Sequence, residues 1–269
     1  MERLRVAIQK ARESRGAAPA GVQNLSGGQR RVTPVWDLLQ GFEPEPARTA
    51  ASRIVTIDRS DPAHATFDML RTRILSFLRE KSLRTIGITS PQPGCGKSTV
   101  ALNLAFSLAR QEDVRTALID LDMRRPAIAR MIGAAGWSGI DAYFEGTEPL
   151  ETCFRRYRDN LAIAINGGGR ANPAEILQSK QTGDAIKTLY RDLRPDVVLV
   201  DLPPLRSCDD VWAFLPNLDC VLLIAAADQS TFEDIDSAER ELSEKTTLLG
   251  VILNQCRMAE DTAAGSYHY

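Results

Sequence analysis

Short apolar runs alternate with amphipathic stretches along most of this chain. The apolar runs fall at residues 84–90, 115–121, 160–165, 196–202, 219–226 and 248–254. Helical spacing of apolar residues marks 97–111, 126–133, 148–156, 180–193, 208–215 and 231–245. Ahead of these, Phe67, Leu70, Ile74, Phe77 and Leu78 recur at helical intervals within 62–81. Several runs are apolar at every position, such as Val197-Val198-Leu199-Val200 and Val221-Leu222-Leu223-Ile224. A strand without a polar face must be covered on both sides, which is the condition of a parallel sheet. The alternation therefore predicts an α/β fold with a doubly wound, mainly parallel sheet flanked by helices. Ligands of such sheets sit at the carboxyl ends of the strands. Ser230-Thr231-Phe232-Glu233 reads as a capping box opening the last helix.

The N-terminal part differs. Leu4, Ile8 and Ala11 lie at helical spacing among Arg and Lys, which fits a short basic amphipathic helix over 1–15 or a solvated terminus. Residues 16–53, rich in Gly, Ala, Pro, Gln and Arg, read as a flexible N-terminal linker. Within them, Leu25-Ser26-Gly27-Gly28-Gln29 spells a transporter ATPase signature. That signature belongs between the two nucleotide-binding motifs, whereas here it precedes both, so it is a chance match. Residues 54–258 read as one domain and 259–269 as a tail.

The first strong run, Thr85 to Thr89, leads into Ser90-Pro91-Gln92-Pro93-Gly94-Cys95-Gly96-Lys97-Ser98-Thr99 and then a helical pattern. This is a phosphate-binding loop in its proper context, with Pro91 where the first glycine usually stands. Small residues let the backbone curl so that several N–H groups face one anion, and the next helix adds its positive end. Gln92, Pro93, Gly94, Cys95, Gly96, Lys97, Ser98 and Thr99 are thus the nucleotide-binding candidates. Lys97 suits the outer phosphates and the Ser98 hydroxyl a Mg²⁺ ion. Two further runs end on acids. Ile119-Asp120-Leu121-Asp122 closes the second strand, and Val200-Asp201 closes a later one. Carboxylates at strand ends beside such a loop hold Mg²⁺ or accept a proton. Asp201 is the metal-binding candidate of the later strand; Asp120 is assigned as base and Asp122 as metal partner. Arg124 and Arg125 stand beside them to neutralise phosphate charge or to bridge to a neighbouring subunit. Asn254, closing the last strand, offers a donor and an acceptor to a purine edge.

The bulk numbers exclude some classes. A net charge of −2 gives no broad attraction to nucleic acid or anionic membrane. The longest apolar run, 220–227, is too short to span a bilayer. Five scattered cysteines without metal-ligand spacing point to a reducing cytoplasm. One of them, Cys95, lies at a helix N-terminus, where a lowered thiol pKa would make oxidation a way to block ATP.

Together these motifs resemble the bacterial tyrosine kinases of capsule and exopolysaccharide export, within the P-loop NTPases. The likeness covers about 61–257 and rests on the phosphate loop, on Asp120-Leu121-Asp122-Met123-Arg124-Arg125-Pro126, on Asp201-Leu202-Pro203-Pro204, and on Asn172-Pro173-Ala174-Glu175-Ile176-Leu177. It implies transfer of the γ-phosphoryl of ATP, with Mg²⁺, to C-terminal tyrosines of a neighbouring subunit in a ring. Tyr267 and Tyr269 are the acceptors so implied. It also implies self-association, a transmembrane co-polymerase whose cytoplasmic tail activates the kinase, and a cytoplasmic location at the inner face of the membrane through that partner. Two features depart from the family. Its ring contact, Glu-x-x-Arg-x-x-Arg, becomes Ala65, Asp68 and Arg71, and the tyrosine tail is thin. Two other readings follow: a P-loop ATPase of the cell-division or partition type, against which stands Gln92 in place of a second lysine, and a nucleotide-binding adaptor without kinase activity.

Overall fold

The computed structural model describes residues 34–58, 60–168 and 172–256. The stretch at 1–15, the first part of the expected linker with its Leu25 to Gln29 run, and the tail with Tyr267 and Tyr269 lie outside them.

Eight strands form one sheet: β1 Gln40–Gly41, β2 Thr85–Thr89, β3 Thr116–Asp120, β4 Phe154–Tyr157, β5 Leu161–Ala164, β6 Val197–Asp201, β7 Cys220–Ala226 and β8 Thr247–Asn254. Their order is β1-β4-β5-β3-β6-β2-β7-β8. Every neighbouring pair is parallel except β4 with β5. The helices are α1 Pro34–Leu38, α2 Pro46–Ala51, α3 His64–Lys81, α4 Lys97–Leu108, α5 Ile128–Ile132, α6 Ile140–Phe144, α7 Leu150–Cys153, α8 Pro173–Gln178, α9 Lys180–Leu193, α10 Asp210–Phe214 and α11 Phe232–Ser243.

Side chains of a strand alternate between faces, and the two cores follow that rule. Ile86, Ile88, Leu118, Leu199, Leu222 and Ile224 pack with α3, α4 and α5 on one face. Ala117, Ile119, Val198, Val200, Val221 and Leu223 pack with α6 and α8 to α11 on the other. Each fully buried Leu, Ile or Phe contributes about 1.5–3 kcal/mol relative to exposure. The continuous apolar runs are what a sheet covered on both sides requires.

Three expectations need correction. Residues 34–53 are not all linker. Trp36 and Leu39 are buried, and the Trp36 indole donates to the Leu193 carbonyl at 2.6 Å. β1 then adds a strand beside β4. The expected helix at 148–156 stops at Cys153. Arg158, at φ 52°, turns the chain so that Phe154–Tyr157 pairs back on β5. The capping box lies one residue later: the Thr231 hydroxyl accepts from the Asp234 N–H, and the Asp234 carboxylate accepts from the Thr231 N–H.

Candidate active site

β2 runs into the phosphate loop in the middle of the sheet, and α4 begins at Lys97. Gly96 closes the loop at φ +86°, and a Cβ there would stand 2.3 Å from the Asn254 amide nitrogen. Only glycine fits both constraints. Three carboxamides hold the loop's carbonyls in sequence. Gln229 Nε2 donates to Pro93 at 2.8 Å, Gln255 Nε2 to Gly94 at 2.8 Å, and Asn254 Nδ2 to Cys95 at 2.9 Å. Gln92 in turn donates to the Gln229 carbonyl. Carbonyls fixed in this way stabilise the curl that turns the peptide N–H groups toward an anion. Asn254 therefore braces the loop, and its amide donor is already engaged there. Cys95 is fully buried, with its thiol against the Gln92 carbonyl at 3.2 Å, which shields it from oxidants.

The register of β3 on β6 sets Asp120 beside Asp201. Both are fully buried. The Ser98 hydroxyl donates to Asp201 Oδ2 at 2.5 Å, while Asp201 Oδ1 is buried with no partner among the described residues. Burial pushes the Asp201 carboxyl up to about 6, against the pull of the Lys97 charge and the Ser98 hydroxyl. Asp120 is pushed well above the usual carboxylate range, by burial first and then by the charge of Asp201. Its oxygens accept from the Asp122 N–H at 3.1 Å and the Ile128 N–H at 3.2 Å. It is thus tied into the backbone of the loop it precedes, which argues against the base role expected of it. Asp122 is placed differently. It lines a cavity of about 2310 Å³ together with Gly94, Gly96, Lys97, Ser98 and Thr99, and Asp120 does not. Its Oδ1 accepts from the Arg125 N–H at 3.0 Å, and burial raises its carboxyl above the ordinary range.

The donor set fits a divalent cation. Asp122 and Asp201 both lie within the field of one buried ammonium, Lys97. A buried carboxylate oxygen without a partner is the kind of group that an ion or its water satisfies. Ser98 and Asp201, with Asp122 nearby, are the residues that would hold the metal.

Sequence reasoning missed four residues. Asn103, fully buried on α4, accepts the Val55 N–H at 2.8 Å and donates to the Arg53 carbonyl at 3.0 Å, so it fixes a wall of the cavity. Gln229 and Gln255 brace the loop. Asp210 pairs with Arg124 at 2.8 Å. Each acts on partners distant in sequence, and no local pattern marks them.

A parallel sheet with an amide cradle, a buried lysine and strand-end carboxylates defines a P-loop nucleotide-binding protein of the ParA kind. The ParA family profile, described as NUBPL iron-transfer P-loop NTPase, matches residues 82–267. The chain is 32% identical over 177 residues to tyrosine-protein kinase CpsD of Streptococcus pneumoniae serotype 4, a match covering 64% of this chain and 76% of that one. The kinase domain of VpsO is similar at 28% identity and TM-score 0.64, over 72% of this chain and 96% of its own. The chimerical protein CapA2B2 shares the fold at TM-score 0.70 and 23% identity, over 82% of this chain and 95% of its own. The chain belongs to the bacterial tyrosine kinases, a branch of these P-loop proteins.

Proposed function

We propose that this kinase transfers the γ-phosphoryl of ATP, with Mg²⁺, to tyrosines of a second copy, Tyr267 and Tyr269 first among them. The observation that supports it is the convergence of Lys97, Ser98 and Asp122 on one cavity, with Asp201 buried behind it and holding the Ser98 hydroxyl. Phosphoryl transfer needs positioning and charge neutralisation more than covalent help from the protein. The loop amides and the α4 N-terminus orient the phosphates, and Lys97 offsets their outer charge. When bound, the metal supplies further positive charge to the phosphate oxygens. The tyrosine oxygen bonds to phosphorus as the bond to the ADP oxygen breaks. The phenolic proton passes to Asp122, the carboxylate that lines the cavity beside Lys97 and whose burial raises its basicity above that of an ordinary aspartate. Among the described residues no helix is long and apolar enough to cross a membrane. The activating partner, proposed from the likeness to the capsule-export kinases, is a transmembrane co-polymerase of polysaccharide export, reached through its cytoplasmic tail.

The test is incubation of the full chain with radiolabelled ATP and Mg²⁺, with and without that tail peptide, followed by mass-spectrometric mapping. Label on Tyr267 or Tyr269, lost on chelation of the metal, supports the reading. Bound nucleotide with no phosphotyrosine in any arm would make the chain an adaptor.

A further inference from the structure

Arg124 follows β3 by four residues and lines the same cavity as Lys97, Ser98 and Asp122. Its Nε donates to Asp210 Oδ2 at 2.8 Å and its Nη2 to Oδ1 at 3.0 Å. Asp210 is entirely buried, whereas the Arg124 side chain keeps 43% of its surface exposed. The two-point fork fixes the plane of the guanidinium. Asp210 engages two of its five N–H donors and the Cys208 thiol stands against the same side chain, which leaves donors for another acceptor. Asp210 opens α10, in the segment that follows β6. The ion pair therefore links the two loops that leave the strands bearing Asp120 and Asp201. Removing a carboxylate from water costs several kcal/mol, and an apolar pair at such a place is often no less stable. A wholly buried acid that holds a half-exposed arginine at a phosphate-binding cavity is better accounted for by orientation than by stability.

We propose that Arg124 neutralises charge on the transferring phosphoryl group and that Asp210 is its positioning residue. This rests on the kinase reading. As the tyrosine oxygen bonds to phosphorus and the bridging oxygen departs with ADP, charge spreads over the three equatorial oxygens. Arg124, aimed by the fork, meets that charge within one chain. Lysine cannot replace it, because a point charge makes no fork with Asp210.

The experiment compares the wild-type chain with Arg124→Ala, Arg124→Lys and Asp210→Asn, reading phosphotyrosine, ATP hydrolysis, KM for ATP and Tm. Arg124→Ala should lower kcat by about 10²–10³-fold with KM changed only a few-fold. Millimolar guanidinium should restore part of that loss. Arg124→Lys should remain impaired. Asp210→Asn should lower kcat by about tenfold or more, without rescue by guanidinium. Wild-type kcat in Arg124→Ala, or a loss that guanidinium leaves untouched, would overturn the proposal. Should Asp210→Asn fail to fold, the guanidinium arm on Arg124→Ala still decides. A wild-type chain that hydrolyses ATP but makes no phosphotyrosine would sink the kinase reading instead, leaving the arginine to be judged on hydrolysis.

Discussion

The two ends of helix pair α3 and α4 treat charged side chains in opposite ways. At the start of α4, Lys97 and Asp122 line a cavity, while Asp201, buried beside Ser98, keeps its Oδ1 without a partner among the described residues. On the flank of α3 the carboxylate is held within the chain, although Arg71 Nε is itself buried without a partner among the described residues. Arg71 donates to Asp68 at 2.7 Å and to the Ser107 carbonyl at 3.0 Å, and the Ser107 hydroxyl donates to the same Asp68 oxygen at 2.7 Å. An intrachain network of this kind binds α3 to α4. An unsatisfied buried group at a site marks where a ligand belongs, and a satisfied one marks structure. Two positions of the Glu-x-x-Arg-x-x-Arg pattern, Asp68 and Arg71, are therefore engaged with each other and with Ser107 within the chain. Asp68, where the pattern has arginine, holds the arginine that remains.

The largest break in this comparison is Lys97→Ala. It should lower phosphotyrosine formation by at least about 10²–10³-fold, measured by radiolabel incorporation. The lysine also pulls down the pKa of Asp201 and of Asp122. The sign of the pH effect follows. Asp201 titrates at about 6 in the folded chain against an ordinary value of 3.8, so the folded state holds the extra proton between about pH 4 and 6. Through this group the nucleotide-free protein loses stability as pH rises across that window and is more stable at pH 5 than at pH 7. Turnover has the opposite slope, because a metal needs the ionised acid: wild-type activity should fall as pH drops below about 6. In Lys97→Ala the pKa of Asp201 should rise, and Mg²⁺ binding followed by calorimetry should weaken from a higher pH. A limb that does not move would detach the lysine from the metal acids.

The three acids can be separated next. Asp122→Ala should cost about 10²-fold or more in kcat with little change in Tm. Asp120→Ala strands two buried N–H groups, those of Asp122 and Ile128, at about 1–3 kcal/mol each. It should lower Tm by several degrees before any effect on chemistry is considered. Equal Tm with equal loss of kcat in the two variants would return Asp120 to the role that its position in the motif first suggested.

How much of this was legible in the chain follows from how local each cause is. β2, β3, β5, β6 and β7 were legible because two-sided burial writes itself as unbroken apolar runs, and the edge strand β8 was legible from its apolar run although it is partly exposed. The phosphate loop was legible because its geometry demands small residues in a fixed order. β1 was not, being two residues long and held by β4 rather than by its own pattern. β4 was not, because the half-exposed Arg155 and Arg156 between buried Phe154 and Tyr157 have no strand alternation. Residues 34–53 were misread because their Gly, Pro and Arg content outweighed two buried side chains, Trp36 and Leu39. Asp120 and Asp201 end their strands as the apolar runs predict, whereas Asp122 lies two residues beyond β3. Which of them faces the cavity depends on the bend after Asp120, and spacing along a strand does not encode that bend.

The smallest expected effect tests the structural side of the comparison. Asp68→Ala removes the acceptor shared by Arg71 and Ser107, a pair whose side chains are only 13% and 20% exposed at the arginine and the acid. Partial solvent screening limits the ion pair to about 1 kcal/mol or less, and the lost hydroxyl contact adds about as much. In a chain of this size that corresponds to a fall in Tm of roughly 2–8 °C. The network touches α4 at Ser107, near its far end, whereas the phosphate loop meets α4 at Lys97. Energies of sites so separated usually add independently. kcat and KM for ATP should therefore stay within about twofold of wild type when measured well below the lowered Tm. A selective loss of phosphotyrosine formation, with ATP hydrolysis intact and Tm unchanged, would mean that Asp68 serves contact between copies, and the contrast between the two ends of α4 would fail.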